Sequence, residues 1–496
     1  MSPEHVDVLI VGAGLSGIGA AHHLQRECPG KSYAILESRA CTGGTWDLFR
    51  YPGIRSDSDM YTLGYSFRPW DSDQSIADGA SILEYIRATA REGGIERHIR
   101  FHHRVVRAEF STAQGRWSVE AQRSDTGETV RMTCDFLMTC SGYYRYDEGY
   151  TPEFPGIERY AGQVVHPQHW SDETEYAGKR VVVIGSGATA VTLVPALAKT
   201  AAHVTMLQRS PSYILSLPGM DPIAKRLRRL LGSKRAYSLV RWKNVGLTMG
   251  TYQLSRRRPR LAKALVRKGL ERQLPAGYDI DKHFTPRYDP WDQRLCLVPD
   301  GDLFAAIKSG SAEVVTDQIE TFTEDGLRLA SGRELEADVV VTATGLNLLV
   351  LGGIEFVVDG REMDVSQTMG YKGMMLSGIP NMALALGYTN ASWTLKCDLT
   401  CEFVCRVLNH MDAHGYRQVV PERDPSVAER PFIDFSSGYV LRSIDKFPKQ
   451  GSRAPWLLRQ NYPLDYMSLK RDPLEDGALR FSRAGSPLGV EEPVPA

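Results

Sequence analysis

A chain of 496 residues with 42% apolar and 24% charged side chains and a formal net charge of zero has the balance of an ordinary globular protein of two to four domains. No uninterrupted apolar run is long enough to span a bilayer and the N-terminus enters a strand almost at once, so no secretory leader and a cytoplasmic location are expected. None of the eight cysteines forms a Cys-x-x-Cys pair, which excludes the usual zinc-ribbon and thioredoxin arrangements, and neither a metal-ligand cluster nor a Ser/His/Asp arrangement stands out.

The first element is a strand at Val8–Val11, followed by Gly12-Ala13-Gly14-Leu15-Ser16-Gly17, a helix, and a second strand ending at Glu37. This is the dinucleotide-binding fingerprint: the glycines allow a tight turn and bring backbone N–H groups close to a pyrophosphate at a helix N-terminus. Glu37 suits a ribose with free hydroxyls, as in FAD or NAD. Gly43-Gly44-Thr45-Trp46-Asp47-Leu48 follows, with paired glycines for close backbone approach and a flat apolar wall in Trp46. Tyr51-Pro52-Gly53-Ile54-Arg55-Ser56-Asp57 is a turn that leads into polar groups, with Asp57 either facing a cofactor or remaining a solvated loop carboxylate. The first unit closes near residue 142 on Asp135-Phe136-Leu137-Met138-Thr139-Cys140-Ser141-Gly142.

A turn-rich connection over 143–176 leads to a second copy of the fingerprint. Val181–Ile184 is the strand, Gly185-Ser186-Gly187-Ala188-Thr189-Ala190 the turn, and Val204–Gln208 the second strand, now followed by Arg209 and Ser210. A guanidinium at the acceptor position suits a 2′-phosphate, as in NADP(H). Residues 222–273 then hold 16 Lys/Arg and one acidic residue, Glu271, in a helical pattern. Leu227, Leu230 and Leu231, then Leu261, Ala262, Ala264 and Leu265, fit packed amphipathic helices with a solvated basic face. Peripheral attachment to anionic lipid is the alternative, and nucleic acid is not expected because no recognition fold accompanies the charge. The closing pattern of the first unit recurs at Asp338-Val339-Val340-Val341-Thr342-Ala343-Thr344-Gly345.

The expected fold is α/β with two dinucleotide-binding, Rossmann-like domains and a helical insertion in the second. The first domain takes 1–142 and 350–496. The second takes 143–212, linker included, and 288–349, around a basic insertion at 213–287. Cys397, Cys401 and Cys405 share a helix face and are read as core. Asn390 or Ser392 is the candidate cap of that helix, and the chain after about 472 is read as a mobile tail.

Between the two fingerprints lies Tyr160-Ala161-Gly162-Gln163-Val164-Val165-His166-Pro167-Gln168-His169-Trp170. This resembles the Phe-x-Gly-x-x-x-His-x-x-x-Trp fingerprint of Baeyer–Villiger monooxygenases: Gly162, His166 and Trp170 match, and Tyr160 replaces the Phe. Residues 51–61, 290–299 and 372–382 look like the branch of that family containing the ethionamide-activating monooxygenase, and the resemblance covers nearly the whole chain. It implies an enzyme that reduces bound FAD with NADPH and captures O₂ as a flavin C4a-peroxide. That peroxide converts ketones to esters or lactones and can oxygenate sulfides. A sulfide- or amine-oxygenating enzyme and a peroxide-releasing NADPH oxidase are the nearest alternatives.

The resemblance implies that Arg294 is the catalytic cation, held in place by Asp57; without it, Arg294 reads as a surface ion pair with Asp289 or Asp292. A permanent guanidinium stabilises an anionic oxygen without titrating. FAD would contact Ser16, Glu37, Thr45, Trp46, Asp47, Leu48, Asp57 and Val105, with Gly12, Gly14, Gly17 and Gly44 shaping the turns. Arg55, Ser56 and Asp57 would lie near the nicotinamide, and Gly185 to Val191 with Arg209 and Ser210 would hold the rest of NADP. His166 is taken as structural or gating rather than an acid–base catalyst. Relatives often carry Lys before the catalytic Arg; Gln293 stands here, which leaves the 2′-phosphate to Arg209 and Ser210.

Overall fold

The computed structural model describes residues 3–293, 295–433 and 435–485. Two sheets dominate the architecture, each built on one fingerprint, in two Rossmann-like domains. In the first, strand Glu4–Val11 lies between Tyr33–Leu36 and Thr129–Thr139, parallel to both. Its residues from Val8 to Ile10 have no exposed surface, as the continuous apolar run demands of a strand covered on both faces. An antiparallel pair, His103–Ser111 and Arg116–Arg123, extends the sheet. The chain rejoins this sheet late: Glu355–Val358 pairs with His103–Ser111, and Met382–Leu384 lies parallel to Thr129–Thr139. Helix Trp393–His414 then packs on the first fingerprint helix, Leu15–Glu27, within one core.

The second sheet is fully parallel, in the order Ala312–Thr316, His203–Gln208, Arg180–Ile184, Val339–Thr342, Gln163–Val165. Its edge strand Gln163–Val165 is the middle of the linker fingerprint, so the linker is part of the second domain's fabric.

The insertion is helical, as its periodicity predicts, with helices Pro222–Leu231, Ser233–Arg257, Pro259–Gln273 and Ile280–Phe284. Leu227 packs on the first domain's core and Ala262 is buried, as expected, but the other leucines named from the spacing do not pack inward. Leu230 is 78% exposed, and Leu231, Leu261 and Leu265 also face outward. Ala224, Ala236, Tyr237, Val240, Val245 and Met249 form the inner side instead. Among the described residues no helix is long and apolar enough to cross a membrane.

Two further expectations differ in detail. Ser392 does occupy the N-cap of helix Trp393–His414, but its hydroxyl makes no capping bond and meets Thr62 Oγ1 at 2.6 Å. Part of the chain after 472 is ordered by pairing: Leu479–Ser482 forms an antiparallel ladder with Gln418–Pro421. Residues 486–496, the end of the expected mobile tail, lie outside the described residues. Cys397, Cys401 and Cys405 are buried as expected, and every cysteine is a free thiol.

One buried polar cluster ties the insertion to the first domain. Arg241, on the long insertion helix, donates to the carbonyls of Tyr61 (2.9 Å), Thr62 (3.2 Å) and Gly64 (2.7 Å) and lies 3.6 Å from Asp398. His23 approaches Asp398 at 3.5 Å and Glu27 at 3.3 Å, and Lys470 pairs with Glu402 at 2.9 Å. His23, Glu27 and Glu402 lie close enough together to suggest a metal site. The three cations His23, Arg241 and Lys470 already balance the three carboxylates, so the cluster is self-sufficient as an ion-pair core.

Burial alone would depress the His23 pKa, but its bonds to Asp398 and Glu27 outweigh that and raise it from 6.5 to about 9. A cationic group with a raised folded-state pKa contributes stability that is complete below its unfolded pKa and is lost as pH rises through the folded one. Unfolding midpoints in urea are therefore expected to fall between pH 6.5 and about 9, by roughly 1–3 kcal/mol of stability. His23→Gln flattens that part of the profile; an unchanged slope in the variant would assign it to other groups.

Candidate active site

Both glycine turns are forced by the strand that closes their own domain. Gly12 has φ +103°, and a Cβ there would stand 2.7 Å from the Cys140 carbonyl oxygen. Gly185 has φ +136°, and its Cβ would fall inside contact distance of the Ala343 carbonyl oxygen. Each turn runs straight into a helix, Leu15–Glu27 or Ala188–Leu197. The first N–H groups of those helices have no intrahelical acceptor and form a site for an anion.

One cavity of about 590 Å³, a size that suits a large cofactor, is lined by the first turn and by the start of the helix that follows the second. Of the sequence-predicted residues, Gly12, Gly14, Ser16, Glu37, Gly44, Thr45, Trp46, Arg55, Ser56, Asp57 and Val105 line it from the first domain. Ala188 and Thr189 line it from the second. Glu37 is 4% exposed; its carboxylate accepts from the N–H of Ala13 (2.7 Å) and of Arg39 (2.9 Å), while burial pushes its pKa upward. The Gly43-Gly44 turn abuts the first fingerprint, with a Cβ on Gly44 only 3.1 Å from Gly14 Cα.

Arg55 pairs in two-pronged fashion with Asp302 of the second domain, yet its buried Nε has no hydrogen-bond partner in the protein. Asp57 lines the cavity next to Ser58, whose hydroxyl lies 3.5 Å from it. Arg294 lies outside the described residues. Asp289 and Asp292 are engaged by Lys263 and Arg256, each at 2.6 Å.

Several predicted residues stand elsewhere. Asp47 does not line the cavity: its carboxylate is the buried hub of Arg39, Arg50 and Arg87, with Cys41 Sγ at 3.0 Å. Leu48 packs on the core of the second domain. Gly17 backs onto the Gly12 carbonyl, leaving no space for a Cβ, and so shapes the turn rather than the cavity. In the second copy Gly185, Ser186, Gly187, Ala190 and Val191 do not line the cavity: Ala190 and Val191 are buried in the helix, Gly187 is exposed, and Ser186 Oγ donates to the Ser210 carbonyl at 3.1 Å. Arg209 and Ser210 are exposed at the end of their strand, an open position for a phosphate.

The linker fingerprint lies outside the cavity lining. Gly162 leaves no room for a Cβ against the Tyr160 ring and the Asp338 carbonyl. The extra hydroxyl of Tyr160 donates to the Ala337 carbonyl at 2.9 Å, so this aromatic replacement leaves no unsatisfied polar group. His166 Nδ1 accepts from the Gln168 N–H at 3.2 Å, which places the proton on Nε2, donating to Gly345 at 3.2 Å. Burial lowers its pKa, so it stays neutral at physiological pH. Trp170 packs edge-on against Tyr176.

Sequence reasoning missed the returning wall. Trp393 lines the cavity and donates to Ser16 Oγ at 2.9 Å from 377 residues away; Ser16 in turn lies 3.3 Å from Cys397 Sγ. Tyr143, Tyr144 and Tyr146 also line the cavity, with Tyr146 3.2 Å from Thr45 Oγ1. The aromatic cluster directly after Gly142 was the available signal for these.

The flavin-binding monooxygenase-like family profile matches residues 65–350, and an NAD(P)-binding Rossmann-like profile matches residues 10–70. The chain belongs to the flavin-binding monooxygenase-like family. Among similar proteins, the FAD-containing monooxygenase EthA of Mycobacterium tuberculosis is 60% identical over 98% of this chain and 100% of its own length. The EthA protein of Mycolicibacterium smegmatis is 54% identical, covering 97% and 98%. The probable FAD-binding monooxygenase AlmA of an Acinetobacter species is 48% identical, covering 99% of both. A steroid monooxygenase bound to NADP shares the fold at TM-score 0.78 and 21% identity, covering 97% of this chain and all of that one. An open cyclohexanone monooxygenase does so at TM-score 0.75 and 20% identity, with the same coverage. This flavin-dependent monooxygenase therefore has the fold of Baeyer–Villiger enzymes.

The two backed glycines separate the two nucleotide sites experimentally. Gly12→Ala is expected to give protein purified with little flavin absorbance, while Gly185→Ala retains flavin and raises the KM for NADPH by roughly tenfold or more. Flavin retention equal to wild type in Gly12→Ala would show that this turn does not shape a cofactor site.

Proposed function

We propose that this enzyme is an FAD-dependent, NADPH- and O₂-consuming Baeyer–Villiger monooxygenase that converts ketones to esters or lactones and also oxidises sulfides to sulfoxides. The observation that carries the reading is that one cavity is lined both by the first fingerprint turn, Gly12 and Gly14, and by the start of the second fingerprint helix, Ala188 and Thr189, with Arg55, Ser56 and Asp57 in its wall. The residues fit the two nucleotides: Glu37 offers a fixed carboxylate to a ribose, the N-terminus of helix Leu15–Glu27 faces a pyrophosphate, and Arg209 is free to take a 2′-phosphate. Bound FAD supplies the redox chemistry, taking a hydride from NADPH and activating O₂.

The protein's own part is positioning, charge and exclusion of water. Asp57 orients the Arg294 guanidinium, and Arg294 stabilises negative charge as it develops on oxygen without itself titrating. Arg55, anchored on Asp302, holds the second domain against the first at the cavity. A smaller aromatic pocket shares Tyr143 and Trp393 with the main cavity and adds Phe432, Phe435 and Tyr439. Its lining suits the aliphatic or aromatic body of a ketone or thioether. The charge of the 222–273 helices supports one separate assignment, peripheral contact with an acidic membrane surface.

Matched ketones and thioethers supplied with NADPH are expected to give esters or lactones from the first and sulfoxides from the second. Sulfoxides alone would make the enzyme an S-oxygenating monooxygenase, and hydrogen peroxide equal to the NADPH consumed would make it an oxidase. Arg294→Ala is expected to lower product formation by about 10²-fold or more while NADPH still bleaches the flavin. Wild-type oxygenation by that variant would remove the assigned role. Arg209→Ala is expected to raise the KM for NADPH by roughly tenfold or more and leave that for NADH nearly unchanged; an equal effect on both would place the 2′-phosphate elsewhere.

A further inference from the structure

The insertion exposes a large apolar surface amid its positive charge. Its longest helix, Ser233–Arg257, buries Ala236, Tyr237, Val240, Asn244, Val245 and Met249 toward the protein. On the outward side stand Leu239 (52% exposed), Trp242 (43%), Leu247 (64%) and Leu254 (38%). Gly246 and Gly250 sit between them, with open space where a Cβ would be. Trp242 meets Tyr466 of helix Tyr462–Arg471 edge-on at 5.3 Å, and Leu464 and Met467 of that helix are exposed. Leu230 and Leu231 are exposed on one neighbouring helix, and Leu261 and Leu265 on the other.

Cations frame this surface. Lys234 and Arg235 stand at the start of the long helix, Arg257 and Arg258 at its end, and Lys268 and Arg272 on the helix that follows. None of these six has an ion-pair partner among the described residues, whereas Lys225, Arg228, Lys243, Arg256, Lys263 and Arg267 are paired with carboxylates. Leucines and a tryptophan ringed by unpaired cations match the boundary between acyl chains and anionic headgroups.

We propose that this face, centred on Leu239, Trp242 and Leu247, inserts into the interfacial layer of an anionic lipid bilayer. The proposal rests on the peripheral-contact assignment above and adds to it the apolar contact and the residues that make it. Unpaired cations draw the protein to the headgroups, and the leucines and Trp242 then leave water. Binding therefore has a salt-sensitive part from charge and a salt-resistant part from burial. None of these side chains lines the cofactor cavity, so docking leaves the oxygenation site intact.

The test uses the FAD-loaded full chain floated with phosphatidylcholine vesicles, with and without phosphatidylglycerol. Wild type is expected to float only with phosphatidylglycerol and to remain partly bound in high salt. Leu239→Ser/Trp242→Ser/Leu247→Ser is expected to lose partitioning by at least about tenfold, with the remainder released by salt, at an unchanged rate of NADPH oxidation. Flotation of that variant like wild type overturns the apolar contact but leaves peripheral binding standing. No flotation of wild type at low salt overturns both. Should the triple variant not fold, brominated lipid in the vesicles gives a second readout. Quenching of wild-type tryptophan fluorescence that is lost in Trp242→Phe supports insertion, and equal quenching in both overturns it. A wild-type dimer in sedimentation that the triple variant abolishes assigns the face to a second copy of the chain and overturns the lipid proposal.

Discussion

The packing of each fingerprint glycine against the carbonyl that ends its domain's closing strand is the constraint on which the rest of the molecule depends. Gly12 and Gly185 both take positive φ, and both face a carbonyl oxygen that any side chain would strike. In each domain the first strand hands the chain to a turn, the turn to a helix N-terminus, and the closing strand runs alongside in parallel register: Val11 beside Thr139, Ile184 beside Thr342. The turns' own first N–H groups are engaged, Gly12 with the Leu36 carbonyl, Ala13 with the Glu37 carboxylate and Gly185 with the Leu207 carbonyl, so the donors left for an anion are those at the helix N-termini. The repeated pattern at 134–142 and 337–345 supplies the wall against which each turn is pressed. Two such walls facing one volume make a site between two nucleotides.

Holding those walls together takes contacts that neither fingerprint contains. Arg55 reaches Asp302 across the domains, and His166 reaches from the linker to the Gly345 carbonyl at the end of the second closing strand. The helix Trp393–His414 returns to pin Ser16 through Trp393 and Cys397. Arg241 and Asn244 of the insertion hold the short helix Met60–Leu63, through its carbonyls and through the capping residue Asp59. That helix follows directly on the loop carrying Arg55 and Asp57. Small displacements at such a loop matter, because charge placed near a reacting oxygen acts over tenths of an ångström. The insertion, remote from the nucleotides in sequence, is thus mechanically close to the chemistry.

What could be read from the sequence follows the range of the interactions involved. Glycine turns, the acceptors Glu37 and Arg209, the closing repeat and the helical character of 222–273 rest on spacing within some thirty residues, and they are visible as pattern. The Ser16–Trp393 bond spans 377 positions, so nothing local announces it. Asp47 illustrates a different limit. Its place beside the Gly-Gly turn suggested a cofactor ligand, but Arg39, Arg50 and Arg87 compete for the same carboxylate, and a buried acid goes to the cations that can reach it. Composition also cannot say which way a leucine points. Helical spacing gave Leu230, Leu261 and Leu265 apolar faces, yet these three turn outward while Ala224 and Leu227, and Ala262 and Leu270, take the inner side of the same helices.

That inner side bears on why the outward apolar surface exists. The insertion's attachment to the first domain is supplied by Tyr237, whose hydroxyl donates to the Tyr65 carbonyl at 3.0 Å, and by Arg241 with its three carbonyl acceptors. The Tyr237 hydroxyl and Arg241 Nη1 are buried and hydrogen-bonded, Arg241 Nη2 lies 3.6 Å from Asp398, and together with the apolar inner residues these groups dock the long helix. The half-exposed leucines Leu239, Leu247 and Leu254 contribute little to holding the helix in place and carry the cost of the apolar area they leave in water, on the order of 25 cal/mol per Å². Their presence at several adjoining positions, bordered by cations without carboxylate partners, is therefore accounted for by something the isolated chain does not contain. A phase that is apolar at its centre and anionic at its rim satisfies both halves of that requirement at once.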